Sequence, residues 1–164
     1  MARKTIASQG GAFMRLSTRG RYALRAMIDL ALHADEGPVL RSDIAERQEI
    51  SAHYIEQLFV KLRKAGLIES VRGPGGGYIL AKSADQIRAG DIIRTVEGPI
   101  ALVHCVAPQQ PEATCHRIDS CVTHLLWQKL SDKVAEVLDS VTLKELCDQA
   151  LELQACELRE ALSR

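Results

Sequence analysis

The clearest pattern along the chain lies between Ser51 and Gly66, where Ile55, Leu58, Phe59 and Leu62 recur at i, i+3, i+4 and i+7. That spacing places them on one buried stripe of a helix and turns His53, Gln57, Val60, Lys61 and Lys64 outward. Ser51 occupies an N-cap position and Gly66 a stop. Leu67 to Arg72 then predicts a strand with Leu67, Glu69 and Val71 on one side, followed by the tip Gly73-Pro74-Gly75-Gly76-Gly77 and a return strand over Tyr78 to Leu80. Upstream, Ala23, Ala26, Met27, Leu30, Ala31 and Ala34 predict a scaffold helix from Tyr22 that ends before Gly37-Pro38. A shorter helix over Ser42 to Gln48 buries Ile44 and Ala45.

Downstream, Ser83-Ala-Asp-Gln86 has the form of a capping box opening a short helix, and Ala89 to Glu97 predicts another, closed by Gly98-Pro99. Ile100 to Ser120 lacks periodicity. From about Ser120 to Ser140 comes the longest helical pattern, with Leu126, Leu130, Val134, Val137 and Val141 in a narrow seam of the kind that packs against a long partner helix. A second capping box, Thr142-Leu-Lys-Glu145, opens a final helix that frays toward Arg164. A small basic domain has no internal partner for the seam, so the expected partner is a second copy in a homodimer.

Two helices joined by a short turn and followed by a glycine-tipped hairpin fit a mainly α winged helix-turn-helix with a small β-hairpin wing and a long C-terminal dimerisation helix. The divisions expected are a disordered tail at 1–13, a DNA-binding domain at 14–98, a loop at 99–120, and the dimerisation and C-terminal helices at 121–164.

Charge sharpens this picture. The chain of 164 residues is net neutral, yet residues 1–82 carry 13 Lys+Arg against 8 Asp+Glu and residues 83–164 carry 8 against 13. The basic half holds the hairpin, as a duplex-binding surface requires. With 46% hydrophobic and 26% charged residues the composition is that of an ordinary soluble protein. No run is long and apolar enough for a membrane span or a signal peptide, so a cytoplasmic location is expected.

Candidate DNA contacts follow from position and chemistry. Glu56 and Gln57 lie in the first turns of the third helix: Gln can pair with adenine N6/N7, and Glu can accept from cytosine N4. Ser51, His53, Tyr54 and Lys61 share that end or the outward face, and Phe59 is assigned to the core. In the wing, Arg72 with Gly73, Pro74 and Gly75 lets side chain and backbone approach a groove or phosphate. Arg15, Arg19, Arg21 and Arg41 are candidate phosphate contacts. An enzyme is not indicated. GPGGGY lacks the following Lys-Ser/Thr of a nucleotide cradle and opens a strand, and no nucleophile, base and orienter assemble; no small-molecule substrate is expected.

Five cysteines, at 105, 115, 121, 147 and 156, are an odd number, and three crowd into the aperiodic loop. In a reducing compartment this points to metal or redox chemistry rather than a disulfide framework. Three cysteines and a nearby histidine suit tetrahedral zinc as well as iron-sulfur, and spacing leaves the two open. Cys147 and Cys156 read as small, semi-buried apolar residues.

The stretches RLSTRGRYALRAMIDLAL, DIAERQEISAHYIEQLFVKLRKAGLIESVRGPGGGYIL and CVTHLLWQKLSD resemble the IscR-like iron-sulfur regulators, a winged-helix repressor family that also includes NsrR and CymR. The resemblance spans about Met14 to Leu146. It implies a [2Fe-2S] cluster on Cys105, Cys115, Cys121 and His124, binding to palindromic double-stranded operator DNA as a homodimer, and control of iron-sulfur assembly or redox genes. Nine residues, VAPQQPEAT, separate Cys105 from Cys115 where the resemblance implies a shorter gap, and His104 and His116 are alternative ligands. A structural zinc or a thiol switch in place of the cluster is the other reading. The family also implies that the glutamate at position 56 discriminates between classes of site.

Overall fold

A computed structural model describes residues 17–108, 115 and 117–162. The tail at 1–13, Arg15 and His116 lie outside these, as does most of the insert between Cys105 and Cys115. The described elements run α1 (Thr18–Leu32), α2 (Arg41–Gln48), α3 (Ala52–Lys64), β1 (Ile68–Val71), β2 (Gly77–Leu80), α4 (Ala89–Glu97), α5 (Val122–Ser140) and α6 (Leu143–Leu162), with short 3-10 turns between.

The helix at α1 begins at Thr18, earlier than the apolar stripe predicts, because Ser17 caps it: the Ser17 hydroxyl accepts from the Arg19 N–H. Glu97, at the end of α4, reinforces that start by accepting from the Gly20 N–H at 2.9 Å and from the Ser17 hydroxyl. The amphipathic pattern therefore missed a turn held by polar groups rather than by apolar burial. Ala34, placed on the stripe from sequence, stands exposed in a 3-10 turn after α1.

The core forms where the stripes of α1, α2 and α3 meet β1 and α4: Met27, Leu30, Ile44, Phe59, Ile68 and Ile92 are all fully buried. Burying each such side chain contributes about 1.5–3 kcal/mol. β1 and β2 pair antiparallel with Ile68 opposite Leu80 and Val71 opposite Gly77. The alternation expected in β1 is replaced by burial at its start alone: Leu67 and Ile68 are inside, while Glu69, Ser70 and Val71 are exposed. The hairpin leaves the body after its first residue, so only its base meets the core.

Of the two capping boxes, one forms. Thr142 and Glu145 exchange bonds, Thr142 N–H to Oε2 at 2.7 Å and Glu145 N–H to Oγ1 at 3.0 Å. Ser83 makes no side-chain cap, and Ala84–Gln86 is a single 3-10 turn closed by Gln86 N–H to the Ser83 carbonyl. A box needs a helix long enough to leave orphan donors, and Ile87 turns extended instead. Among the described residues, no helix is long and apolar enough to cross a membrane.

Candidate functional site

The third helix presents an exposed edge because its other face is spent on the core. Ile55, Leu58, Phe59 and Leu62 are buried, while Ser51, His53, Glu56, Gln57 and Lys61 are exposed. Ser51 caps the helix, its Oγ accepting from the Tyr54 N–H at 3.2 Å. His53 and Gln57 are joined through their side-chain nitrogens at 3.0 Å. Tyr54 is half-buried, edge-on to Tyr22 with centroids 5.9 Å apart, and Arg25 stacks over Tyr22 at 5.7 Å. Its ring therefore packs α3 against α1.

Two candidate cations are engaged within the protein. Lys61 donates from Nζ to the Val96 carbonyl at 3.1 Å, tying α3 to the last turn of α4. Arg41, at the start of α2, pairs with Glu56 across the helix-turn-helix. Arg19 and Arg21 are exposed on the first turn of α1, and Arg19 lines a groove with Tyr54, Gln57 and Lys61. Arg72 is exposed at the base of the wing, beside exposed Gly73, Pro74 and Gly75.

The wing is shaped by glycine where no other residue fits. Gly73 and Gly75 hold φ of 102° and 74°, and a Cβ on Gly77 would stand 2.5 Å from the Val39 carbonyl oxygen. That approach is needed because Val39 and Tyr78 bond reciprocally at 2.9 and 2.8 Å, pinning the hairpin to the segment before α2. The Tyr78 ring meets Phe59 edge-on at 4.8 Å, so the core face of α3 and the base of the wing share one contact. Helix edge and hairpin are thus mounted rigidly on the same side chain.

A polar latch that periodicity did not disclose fixes α1 on α2. Asp29, buried on the apolar side of α1, accepts a fork from Arg47 through Nε at 3.0 Å and Nη2 at 2.6 Å, and a further bond from Gln48 Nε2 at 2.9 Å. Arg47 is held above its usual range by that hydrogen bond. An acid within an apolar stripe, facing a helix that ends Arg-Gln, was the available signal. A buried carboxylate needs such partners to remain charged.

The cysteine loop is tied down at its edges. Ala101 is buried, and Leu102 N–H donates to Oγ of Ser131, itself buried on α5, at 3.1 Å. Cys105 sits in the turn His104–Val106, Cys115 accepts from Ile118 N–H through its carbonyl, and Cys121 is the residue before α5. The Thr123 hydroxyl, 3.1 Å from Cys121 Sγ, together with the His124 N–H, holds that thiol below its usual range. His124 lies in the first turn of α5, its N–H bonded to the Cys121 carbonyl, and its Nδ1 is buried with no protein partner among the described residues. The described residues contain no group of three or more His, Cys, Asp or Glu side chains converged on one point. Thiol and imidazole donors are the chemistry that iron-sulfur and zinc centres take, and a buried ring nitrogen without a partner among the described residues fits a ligand better than a packing residue. Cys147 is buried against α1, and burial pushes its thiol up; Cys156, expected to be semi-buried, is exposed on the outer part of α6 because that half of the helix leaves the body.

The chain is matched over residues 16–149 by the family model Rrf2, described as an iron-dependent transcriptional regulator. It is 47% identical over 148 residues to the HTH-type transcriptional regulator IscR of Pectobacterium carotovorum subsp. carotovorum (strain PC1), covering 90% of this chain and 88% of that protein. The protein of the same name from Erwinia tasmaniensis is 50% identical over 133 residues, 81% of this chain and 78% of that one. Among solved structures, T. potens IscR superposes with a TM-score of 0.70 at 44% identity, over 86% of this chain and 91% of that chain. CymR, described as the global cysteine regulator of B. subtilis, superposes with a TM-score of 0.68 at 43% identity, over 83% and 98%.

Proposed function

This chain belongs to the Rrf2 family, as a winged-helix DNA-binding transcriptional regulator and not an enzyme, and we propose that its operator affinity is governed by a [2Fe-2S] cluster. Cys105, Cys115, Cys121 and His124 are the ligands in this reading. The protein acts in the cytoplasm as a homodimeric repressor on palindromic operators of iron-sulfur assembly or redox genes.

The observation that carries the cluster is the buried Nδ1 of His124, without a partner among the described residues and three positions after Cys121. When bound, the cluster supplies a redox-responsive tie between the loop and α5. The loop leaves α4 directly after Val96 and Glu97, and these two residues already touch Lys61 on α3 and the start of α1. A change in loop placement would therefore reach α3 and the start of α1 through bonded neighbours. For the dimer, support comes from α5: Val122, Leu125, Leu126 and Val137 are 51–80% exposed, an apolar face that water disfavours. On a two-fold axis it would set the half-site spacing.

Protein purified anaerobically is expected to be reddish brown with about two irons and two sulfides per chain. Cys105→Ala should lose the cluster, whereas His124→Cys should keep one at a lower potential. Stoichiometric zinc without inorganic sulfide, in cells supplied with iron, would overturn the assignment. Cluster-loaded and cluster-free protein should then differ about 5- to 150-fold on one class of operator, the ordinary range of allosteric coupling. Equal affinity at one fixed salt concentration would leave the metal structural.

A further inference from the structure

The ion pair between Arg41 and Glu56 is unused by the function described so far. Nη1 of Arg41 lies 2.5 Å from Oε2 of Glu56, and both side chains are about half open to solvent, at 40% and 49%. Arg41 is the first residue of α2, and Leu40 before it offers no side-chain cap. The positive end of the helix dipole disfavours a cation there. Glu56 is equally ill-placed alone: on the edge of α3 that faces a duplex, a carboxylate meets phosphates and base acceptors. It finds a donor without an adjacent acceptor only at the exocyclic amine of cytosine. Pairing removes both penalties.

Placement gives the pair a role. Arg41 lines, with Ser42, Ala52, Ser70, Val71 and Tyr78, the groove between the two helices and the wing. A DNA strand held by α3 on one side and the wing on the other would pass over this groove. Exposed ion pairs contribute little in water, but a docked duplex excludes water and strengthens the attraction as the local dielectric falls.

We propose that Arg41 is a specificity-determining residue of the DNA-reading surface. By holding Glu56 already neutralised, it frees the base opposite Glu56 from having to be cytosine. This rests on the assignment of α3 and the wing as the surface that reads DNA. With Arg41 in place the carboxylate is satisfied before the duplex arrives. Without it, cytosine N4 is the one good partner left.

Selection from a random duplex library, followed by equilibrium binding of the chosen sites at fixed salt, tests this on the full-length protein. The variants are Arg41→Ala, Glu56→Gln and the double substitution, each checked for folding by circular dichroism. Arg41→Ala should raise the preference for cytosine at one position of each half-site about tenfold, as loss of tolerance at a single base contact implies, and leave other positions unchanged. Glu56→Gln in that background should abolish the gain. A loss in Arg41→Ala that is uniform over all sequences and persists in the double variant makes Arg41 a phosphate anchor, and an unchanged preference makes it inert; either overturns the proposal. Failure of the underlying assignment is separable: Gln57→Ala and Arg72→Ala would then both leave affinity and preference untouched while the unsubstituted protein still selected a defined site.

Discussion

The winged part and the α5 helix treat their apolar residues in opposite ways. In α3 the stripe Ile55, Leu58, Phe59 and Leu62 is 0–3% exposed, closed over by α1, β1 and α4. In α5, Leu126, Leu130 and Val137 of the expected seam are 51%, 40% and 62% exposed, while Val134 and Val141 are half-buried. The same 3.6-residue periodicity thus accompanies a finished core in one place and an open seam in the other. An apolar pattern says that burial is needed; whether the chain itself supplies the burying surface depends on what folds nearby. The cysteine loop is tied to a covered face of α5, through Leu102 and the buried Ser131.

The largest test of that contrast is Phe59→Ala, which removes a fully buried ring from the contact between α3 and Tyr78. It should cost about 3–5 kcal/mol in denaturant unfolding, independent of protein concentration. Leu130→Asp, at the equivalent place on the open side, should leave the helical content intact. It should convert dimers to monomers in sedimentation at micromolar concentration, since a charge in an apolar interface costs several kcal/mol. A wild type that is monomeric there would leave the exposed α5 residues without the partner proposed for them.

Between these two regions in effect is the wing. Gly77→Val places a Cβ where the Val39 carbonyl already is. It should cost about 1–3 kcal/mol, the range for overpacking, and weaken DNA binding on every sequence by misplacing Arg72. A wing variant with normal stability and normal affinity would mean that the hairpin is not held as Val39 and Tyr78 hold it.

The smallest effect is expected at the junction of the two regions, where Arg94 forks onto Asp139 with both bonds at 2.6 Å. The guanidinium holds Asp139 below the usual carboxylate range. A depressed folded-state value means that the stabilisation is complete above the unfolded carboxylate value and is lost as pH falls through the folded one. Both side chains are open to water, at 38% and 43%, so screening limits Asp139→Asn to about 1 kcal/mol or less at neutral pH. The difference from wild type should shrink in high salt and vanish in acid; a pH-independent difference would assign the effect to packing instead.

Local order accounts for most of the structure that is legible in the sequence. Period and punctuation placed α2, α3 and α4, because stripe, cap and stop residues lie within a turn or two of one another: Ser51 with Ile55 to Gly66, and Ala89 to Gly98. The same locality made the Thr142–Glu145 box legible. The glycine tip announced a hairpin, since few residues adopt its backbone angles. The candidate donors Cys105, Cys115, Cys121 and His124 were offered by residue type and through resemblance, while sequence distance said nothing about which of them converge.

What depended on the tertiary structure is polar and long-range. Asp29 with Arg47 and Gln48, Glu97 with the start of α1, Lys61 with Val96 and Arg41 with Glu56 each join residues from different elements. No periodicity encodes such pairs, because a hydrogen bond requires an angle and a distance that arise only after apolar packing has brought two elements together. Sequence by itself determined which faces are apolar, and it offered the candidates for DNA contact and metal ligation. Only the packed chain decided which cations were already engaged and which apolar face was left open, because both depend on neighbours that the chain brings from far along its length.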